Sequence, residues 1–323
     1  VYKSSGSQFV VYAALAANIL IAVGKFVAAA ISGSSAIWSE GIHSAVDSTN
    51  ELLLLYGIHR SKARPDNVHP LGHGREVYFW SFMVAVLVLA LGAGLSFYEG
   101  VLHLINPHPI ENATLSLAIL AVAAGFEGTS WVFAVREFRA HKGDLGYFEA
   151  FTCSKDPTVF TVLVEDSAAL IGLIIAATGI LLALHFRDPR FDAVASIGIG
   201  ALLTATSILL ARETKSLLIG EAAHPHVRES IMQIAATDPG IRKVNGLLTV
   251  QIGPDQVLAA MSAEFEDALT TPQIEACIKR IEAKIKDAQE EVMTLFVKPQ
   301  TPETFQARRD ALNHDEESDI ESG

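Results

Sequence analysis

The chain has 323 residues, half of them hydrophobic, with 36 acidic against 24 basic side chains and a formal charge of −12. The apolar residues fall in blocks of about 20, the length that crosses a hydrocarbon core roughly 30 Å thick, and not in the 3.6-residue stripe of a soluble helix. A wholly soluble fold is therefore excluded, the acidic balance gives no footing for nucleic acid, and the two cysteines, Cys153 and Cys277, do not make a disulfide framework.

Six blocks predict transmembrane helices at 8–32, 36–58, 77–104, 113–135, 158–186 and 191–211. Residues 1–7 read as a short polar lead, and the first block is too long, and lacks the small-residue cleavage site, for a removable signal peptide. Lys25 in that block reads as a lysine snorkelling to the interface, the alternative being a counter-ion for acidic groups nearby. Basic residues cluster in alternate loops: Arg60, Lys62, Arg64 and Arg75 follow the second span, Arg136, Arg139, Lys142 and Lys155 the fourth, and Arg212 and Lys215 the sixth. The opposite loops hold only Arg187 and Arg190. Positive charge stays on the cytoplasmic side, so both termini are expected in the cytoplasm, in the plasma (inner) membrane if the chain is bacterial. The stretch 137–151, with Phe138, Tyr147, Phe148 and Phe151, reads as an interfacial linker helix.

After Gly220 the composition changes, with 19 acidic and 10 basic residues in 220–323. Period and turn signals predict a helix at 225–237, strands at 243–252 and 257–266 around Gly253-Pro254-Asp255, an amphipathic helix at 271–289 capped by Thr270 or Thr271, and a strand at 292–298. The expected architecture is an α-helical polytopic membrane protein with six spans over 1–219, a small cytoplasmic α+β (αββαβ) domain over 220–300, and a disordered acidic tail over 301–323.

Ionisable side chains in a bilayer core cost at least about 2.5–3.5 kcal/mol each and persist only where they face a bundle interior or a wet cavity. The second span carries His43 and Asp47, four apart and so on one helix face. Asn50 and Glu51 extend that stripe one way and Glu40 the other. Two readings are open for the pair, a hydrogen bond closing a polar helix interface or two ligands of one metal ion. The fifth span adds Glu165-Asp166 and the fourth adds Glu127. At about 1.5 Å of rise per residue, Asn18, Asp47, Glu127 and Asp166 lie about 8–11 residues from the cytoplasmic ends of their spans, in one layer within about 5 Å of height. One His with several carboxylates suits a borderline or hard divalent ion. In the loop before the third span, Asp66, His69 and His73 are either a solvated turn shaped by Pro65, Pro70, Gly72 and Gly74 or a second metal site.

His43-x-x-x-Asp47 after Gly33-Ser34 and Trp38, the segment His69-Pro70-Leu71-Gly72-His73-Gly74-Arg75-Glu76, and six spans with a C-terminal α+β domain together resemble the cation diffusion facilitator family, from about residue 8 to 300. The resemblance implies a homodimer that exchanges a divalent metal ion for protons, with His43, Asp47 and Asp166 as transport ligands and Asp66, His69 and His73 as a second site. It also implies a dimerisation role for the C-terminal domain. No resident cofactor is implied, because the ion is cargo: Zn²⁺ first, with Mn²⁺ and Fe²⁺ behind it. The pattern departs at Val162, where the family has His or Asp, a departure that resembles the zinc transporter 9-like subgroup. The missing ligand must then come from Glu127, Glu165, Asn18, Asn50 or water. Glu127 is expected to supply it, having no other reason to lie at that depth, whereas Glu165 points about 100° away from Asp166 on an ideal helix. An integral-membrane metalloenzyme is the alternative from another class, although neither H-E-x-x-H nor G-x-S-x-G occurs.

Overall fold

The computed structural model describes residues 6–142, 146 and 154–321. The chain divides into two compact units, Val1–Leu218 and Ile219–Gly323.

The first unit is helical. Helices α1 (Gly6–Ser32) and α2 (Ser35–Ser61) form an antiparallel hairpin, followed by α3 (Glu76–Leu87), a π turn (Val88–Ala93) and α4 (Gly94–Ile105), and then by α5 (Ala113–Lys142), α6 (Pro157–Phe186) and α7 (Arg190–Ile219). Among the described residues, four stretches are long and apolar enough to cross a membrane: Glu76–Ile105, Ala113–Arg136, Phe160–Phe186 and Arg190–Ile219. Asn18–Ser32 is a shorter apolar stretch, and α2 interrupts its apolar run with Glu40, His43, Asp47 and Glu51. Helix α5 runs past residue 135 with Phe138 buried, so part of the expected linker helix is the end of a longer one. The remainder of that linker, with Tyr147, Phe148, Phe151 and Cys153, lies outside the described residues, as do residues 1–5 of the polar lead.

The α1–α2 turn is local chemistry. Gly33 takes φ +70°, a left-handed conformation that ends α1 without a Cβ penalty. The Ser34 hydroxyl then caps α2 by accepting from the Ile37 N–H. Asp192, near the start of α7, accepts from the Ser34 hydroxyl at 2.6 Å and from the Ser35 N–H at 2.6 Å. An anionic side chain thus meets the positive end of α2 and fastens α7 to it.

Lys25 does not snorkel. Its ammonium is fully buried, donating to Glu40 Oε2 at 3.0 Å and to the Ser44 hydroxyl at 2.7 Å. The cause is rotational setting: the α1 face that carries Lys25 packs on α2, and a paired partner there replaces the water that snorkelling would seek.

The second unit is α8 (Pro225–Ala236), β1 (Ile241–Gly253), β2 (Gln256–Phe265), α9 (Thr271–Ala288), β3 (Val292–Pro299) and α10 (Pro302–Glu321). Strands β1 and β2 form an antiparallel hairpin, while β2 and β3 are parallel, a pairing that needs the α9 crossover. Thr270 caps α9 in a capping box with Gln273. Val227, Ile231, Ile281 and Ile285 pack with Val257 and Met261 as the core. Where a disordered stretch was expected from 301, the structure has α10. It starts at Pro302, and Phe305 lies where a side chain at Gly246 would otherwise sit.

Asp238, after α8, is clamped by Arg280 of α9 through two bonds of 2.9 and 2.7 Å, and it also accepts from the Gly240 N–H and the Cys277 thiol. The Arg280 guanidinium holds the Asp238 carboxyl well below the usual carboxylate range. A carboxyl depressed on folding contributes stability that is complete above its unfolded value of about 4 and is lost as pH falls toward the folded one. Burial, with the Asp238 carboxylate beside it, pushes the Cys277 thiol up to about 11. We expect Arg280→Met to release the clamp on Asp238 and loosen α9. Alkylation of Cys277 at pH 8, followed by peptide mass spectrometry, should then accelerate about 30-fold. An unchanged rate would show that the clamp does not hold α9.

Candidate metal site

Four helices bring polar side chains around one cavity of about 30 Å³, room for a water or a bare divalent ion. Its wall is Asn18 of α1, Ser44, Asp47 and Glu51 of α2, Glu127 of α5, and Val162, Glu165 and Asp166 of α6. The spacings are those of helix faces: 44, 47 and 51 on α2, and 162, 165 and 166 on α6. Three of the five wall carboxylates are positioned by a neighbour. Asn18 donates to Glu51 at 2.6 Å, Asn50 to Glu165 at 2.8 Å, and Ser130 to Asp166 at 2.8 Å. Glu127 makes no hydrogen bond among the described residues.

Of the expected transport ligands, Asp47, Asp166 and Glu127 meet at this cavity, whereas His43 is not on its wall. His43 is buried behind Asp47, with Nδ1 3.4 Å from Asp47 Oδ1. That contact is close enough for an ion pair but not aligned as a hydrogen bond, and among the described residues both His43 nitrogens and Asp47 Oδ1 have no hydrogen-bond partner. The interface-closing hydrogen bond between His43 and Asp47 is thus not made. Buried ligand atoms without partners, side by side, are the arrangement that an ion satisfies. An imidazole with carboxylate oxygens suits Zn²⁺, Mn²⁺ or Fe²⁺.

Two residues gain weight over the sequence reading. Glu165, expected to point away from Asp166, shares the wall with it, because the cavity lies across the helix face between the two. Glu51, part of the noted stripe but not chosen as a ligand, also lines it. The missed signal was the i, i+4 step from Asp47 to Glu51. Val162 stands on the wall itself, so the position that lacks a ligand faces the space where an ion would sit.

The loop triad is assembled. Asp66 Oδ1 is 3.5 Å from His69 Nδ1 and Oδ2 is 3.6 Å from His73 Nε2, and one ligand atom from each residue falls within 4.8 Å of the others. Backbone donors build the turn: the His69 and Val68 N–H groups bond Asp66 Oδ1 at 2.6 and 2.8 Å. The same donors hold the Asp66 carboxyl below its ordinary range. They favour its ionised form, ready for a cation.

Residues 11–219 match the cation efflux transmembrane domain. The chain is 33% identical over 272 residues to the human mitochondrial proton-coupled zinc antiporter SLC30A9, covering 84% of this chain and 48% of that protein. It is 30% identical over 250 residues to metal tolerance protein C4 of Arabidopsis thaliana, covering 77% and 55%, and 25% identical over 286 residues to the cation-efflux pump FieF of Cronobacter sakazakii, covering 86% and 87%. The chain therefore belongs to the cation diffusion facilitator family, whose matched domain is a cation efflux domain. It spans about half the length of the human and plant relatives.

Two outcomes are expected. Val162→His, in a chain whose loop site is disabled by Asp66→Ala, adds an imidazole to the cavity wall and tightens Zn²⁺ binding at least about tenfold by calorimetry, or about 1.4 kcal/mol. An unchanged affinity would place the ion out of reach of residue 162. His73→Ala removes one bound Zn²⁺ per chain at pH 7 by equilibrium dialysis. Because imidazole ligates only when neutral, wild-type occupancy at the loop falls on acidification. A stoichiometry that His73→Ala leaves intact would reduce the triad to a structural turn.

Proposed function

We propose that the chain is a divalent-cation transporter, with Zn²⁺ as first substrate and Mn²⁺ or Fe²⁺ as alternatives within the same fold, exchanging the ion for protons by alternating access. The observation that carries this reading is the cavity at which α2, α5 and α6 present Asp47, Glu51, Glu127, Glu165 and Asp166, with Asn18 of α1 on the same wall, within a bundle of apolar helices. Such a gathering of negative charge calls for a cation or protons, and coordination requires proton release from the ligands. The names of the human and bacterial relatives, a proton-coupled zinc antiporter and a cation-efflux pump, support the same class. His43, Asp47, Asp166 and Glu127 form the proposed transport set, joined by Glu165, and Asp66, His69 and His73 the proposed loop site. A metalloenzyme is less well supported, since these relatives are named as transport proteins.

The proposed protomer has six spans, α1 and α2 joining the four long apolar stretches, with both termini cytoplasmic and residues 220–300 as a cytoplasmic dimerisation domain. What supports α2 as a span is that its ionisable residues turn inward to partners and cavity. What supports a homodimer is the open face of the sheet: Leu248, Ala260 and Phe296 lie in one cross-strand row, with Leu248 76% and Phe296 58% exposed. An apolar row of this kind marks an interaction surface. If the protein is bacterial, the membrane is the plasma (inner) membrane.

In proteoliposomes, Zn²⁺ flux should follow an imposed pH gradient and collapse when the gradient is dissipated. Asp47→Asn, Asp166→Asn and Glu127→Gln should each lower the initial rate at least about tenfold, equivalent to about 1.4 kcal/mol. Flux indifferent to the gradient would remove proton exchange from the account, and full activity in Asp47→Asn with Asp166→Asn would remove the site. Leu248→Lys with Phe296→Lys should convert a dimer to a monomer by light scattering.

A further inference from the structure

The Lys25–Glu40 pair stands at one end of the cavity and belongs to none of its wall. On α2 the cavity runs from Ser44 through Asp47 to Glu51, and on α1 it is reached by Asn18. Lys25 and Glu40 lie beyond Ser44, toward the Gly33 turn. Ser44 joins the two regions, since it lines the cavity and also accepts from the Lys25 ammonium at 2.7 Å. On the wall Asn18, Asp47, Glu51, Glu127 and Asp166 are partly exposed and Glu165 is buried, whereas Lys25 and Glu40 are each 0% exposed.

The pair also ties a third helix into the closure. Glu40 Oε1 has no hydrogen-bond partner and points at Gly172 of α6, where a Cβ would collide with it. The carboxylate thus fits between α1, α2 and α6 only because residue 172 is glycine. An ion pair removed from water gains little over a hydrophobic pair of similar size, and its best-attested use is as a register or switch. Pulled apart into water, the two charges would each be solvated, so this contact is strong when dry and easily released when wet.

We propose that the Lys25–Glu40 ion pair is the latch that shuts the metal pathway on the Gly33 side of the cavity, and that this side opens when α1 and α6 part from α2 and the two charges become hydrated. The proposal rests on the transport reading above. In the structure the latch is closed while the Glu51 end is accessible, so the two ends are in the opposite states that alternating access requires.

Hydrogen exchange by mass spectrometry on the full chain in nanodiscs tests it without relying on transport. Lys25→Met, Glu40→Gln and Gly172→Ala should each speed exchange in 35–44 at least about tenfold while slowing it in 48–54, because opening one end closes the other. The charge exchange Lys25→Glu with Glu40→Lys should return both segments to within about threefold of wild type. General loosening raises exchange at both ends and would overturn the latch, as would single variants indistinguishable from wild type or an exchanged pair that restores nothing. Zn²⁺ uptake by the same proteins separates the two claims. A wild-type chain that moves no metal refutes the transport reading, while the exchange pattern still decides whether the pair controls closure.

Discussion

Charge buried among apolar helices sets the terms for the helical unit. A carboxylate or ammonium there is best tolerated with a partner that replaces water, and each such pairing joins two different helices. Asp192 reaches the start of α2, Lys25 reaches Glu40, Asn18 reaches Glu51, Asn50 reaches Glu165, and Ser130 reaches Asp166. The helix arrangement and the site are thus one solution to one constraint.

Two sets of groups answer the constraint differently. Asp192, Lys25 and Glu40 are paired and buried, and they fix how helices meet. Asp47, His43 and Glu127 lack such partners, and Asp47 and Glu127 open onto a space sized for an ion. Around Val162 the wall is oxygen-rich, with Glu51, Glu127, Glu165 and Asp166 sharing it. An oxygen-rich wall of this kind discriminates less sharply between Zn²⁺, Mn²⁺ and Fe²⁺ than a set dominated by histidine.

Much of this was legible in the sequence, because hydrophobic length and helical period are local properties. The runs that became α3 to α7, the αββαβ order and the depth shared by Asn18, Asp47, Glu127 and Asp166 all follow from counting along one strand of text. What depends on how one helix is rotated against another was not legible. Lys25 read as an interfacial lysine because nothing local says that its face meets Glu40. Glu165 read as misdirected because the 100° step between neighbours does not say where the cavity lies across that arc. His43 read as a ligand beside Asp47, and the helix sets it next to Asp47 but off the cavity wall. In the second unit, Phe305 and α10 were missed since a polar composition conceals a single anchoring aromatic.

The proposed ion binds among carboxylates of α2, α5 and α6, beside Asn18 of α1, with at most one histidine. X-ray absorption at the zinc edge tests it directly, on a chain lacking Asp66, His69 and His73 ligation and loaded with one equivalent of Zn²⁺. The account predicts a shell of oxygen and nitrogen at about 2.0–2.2 Å with no more than one imidazole, abolished by Asp47→Asn with Asp166→Asn. A shell with two or more imidazoles or with sulfur, or one that survives that double substitution, would contradict it.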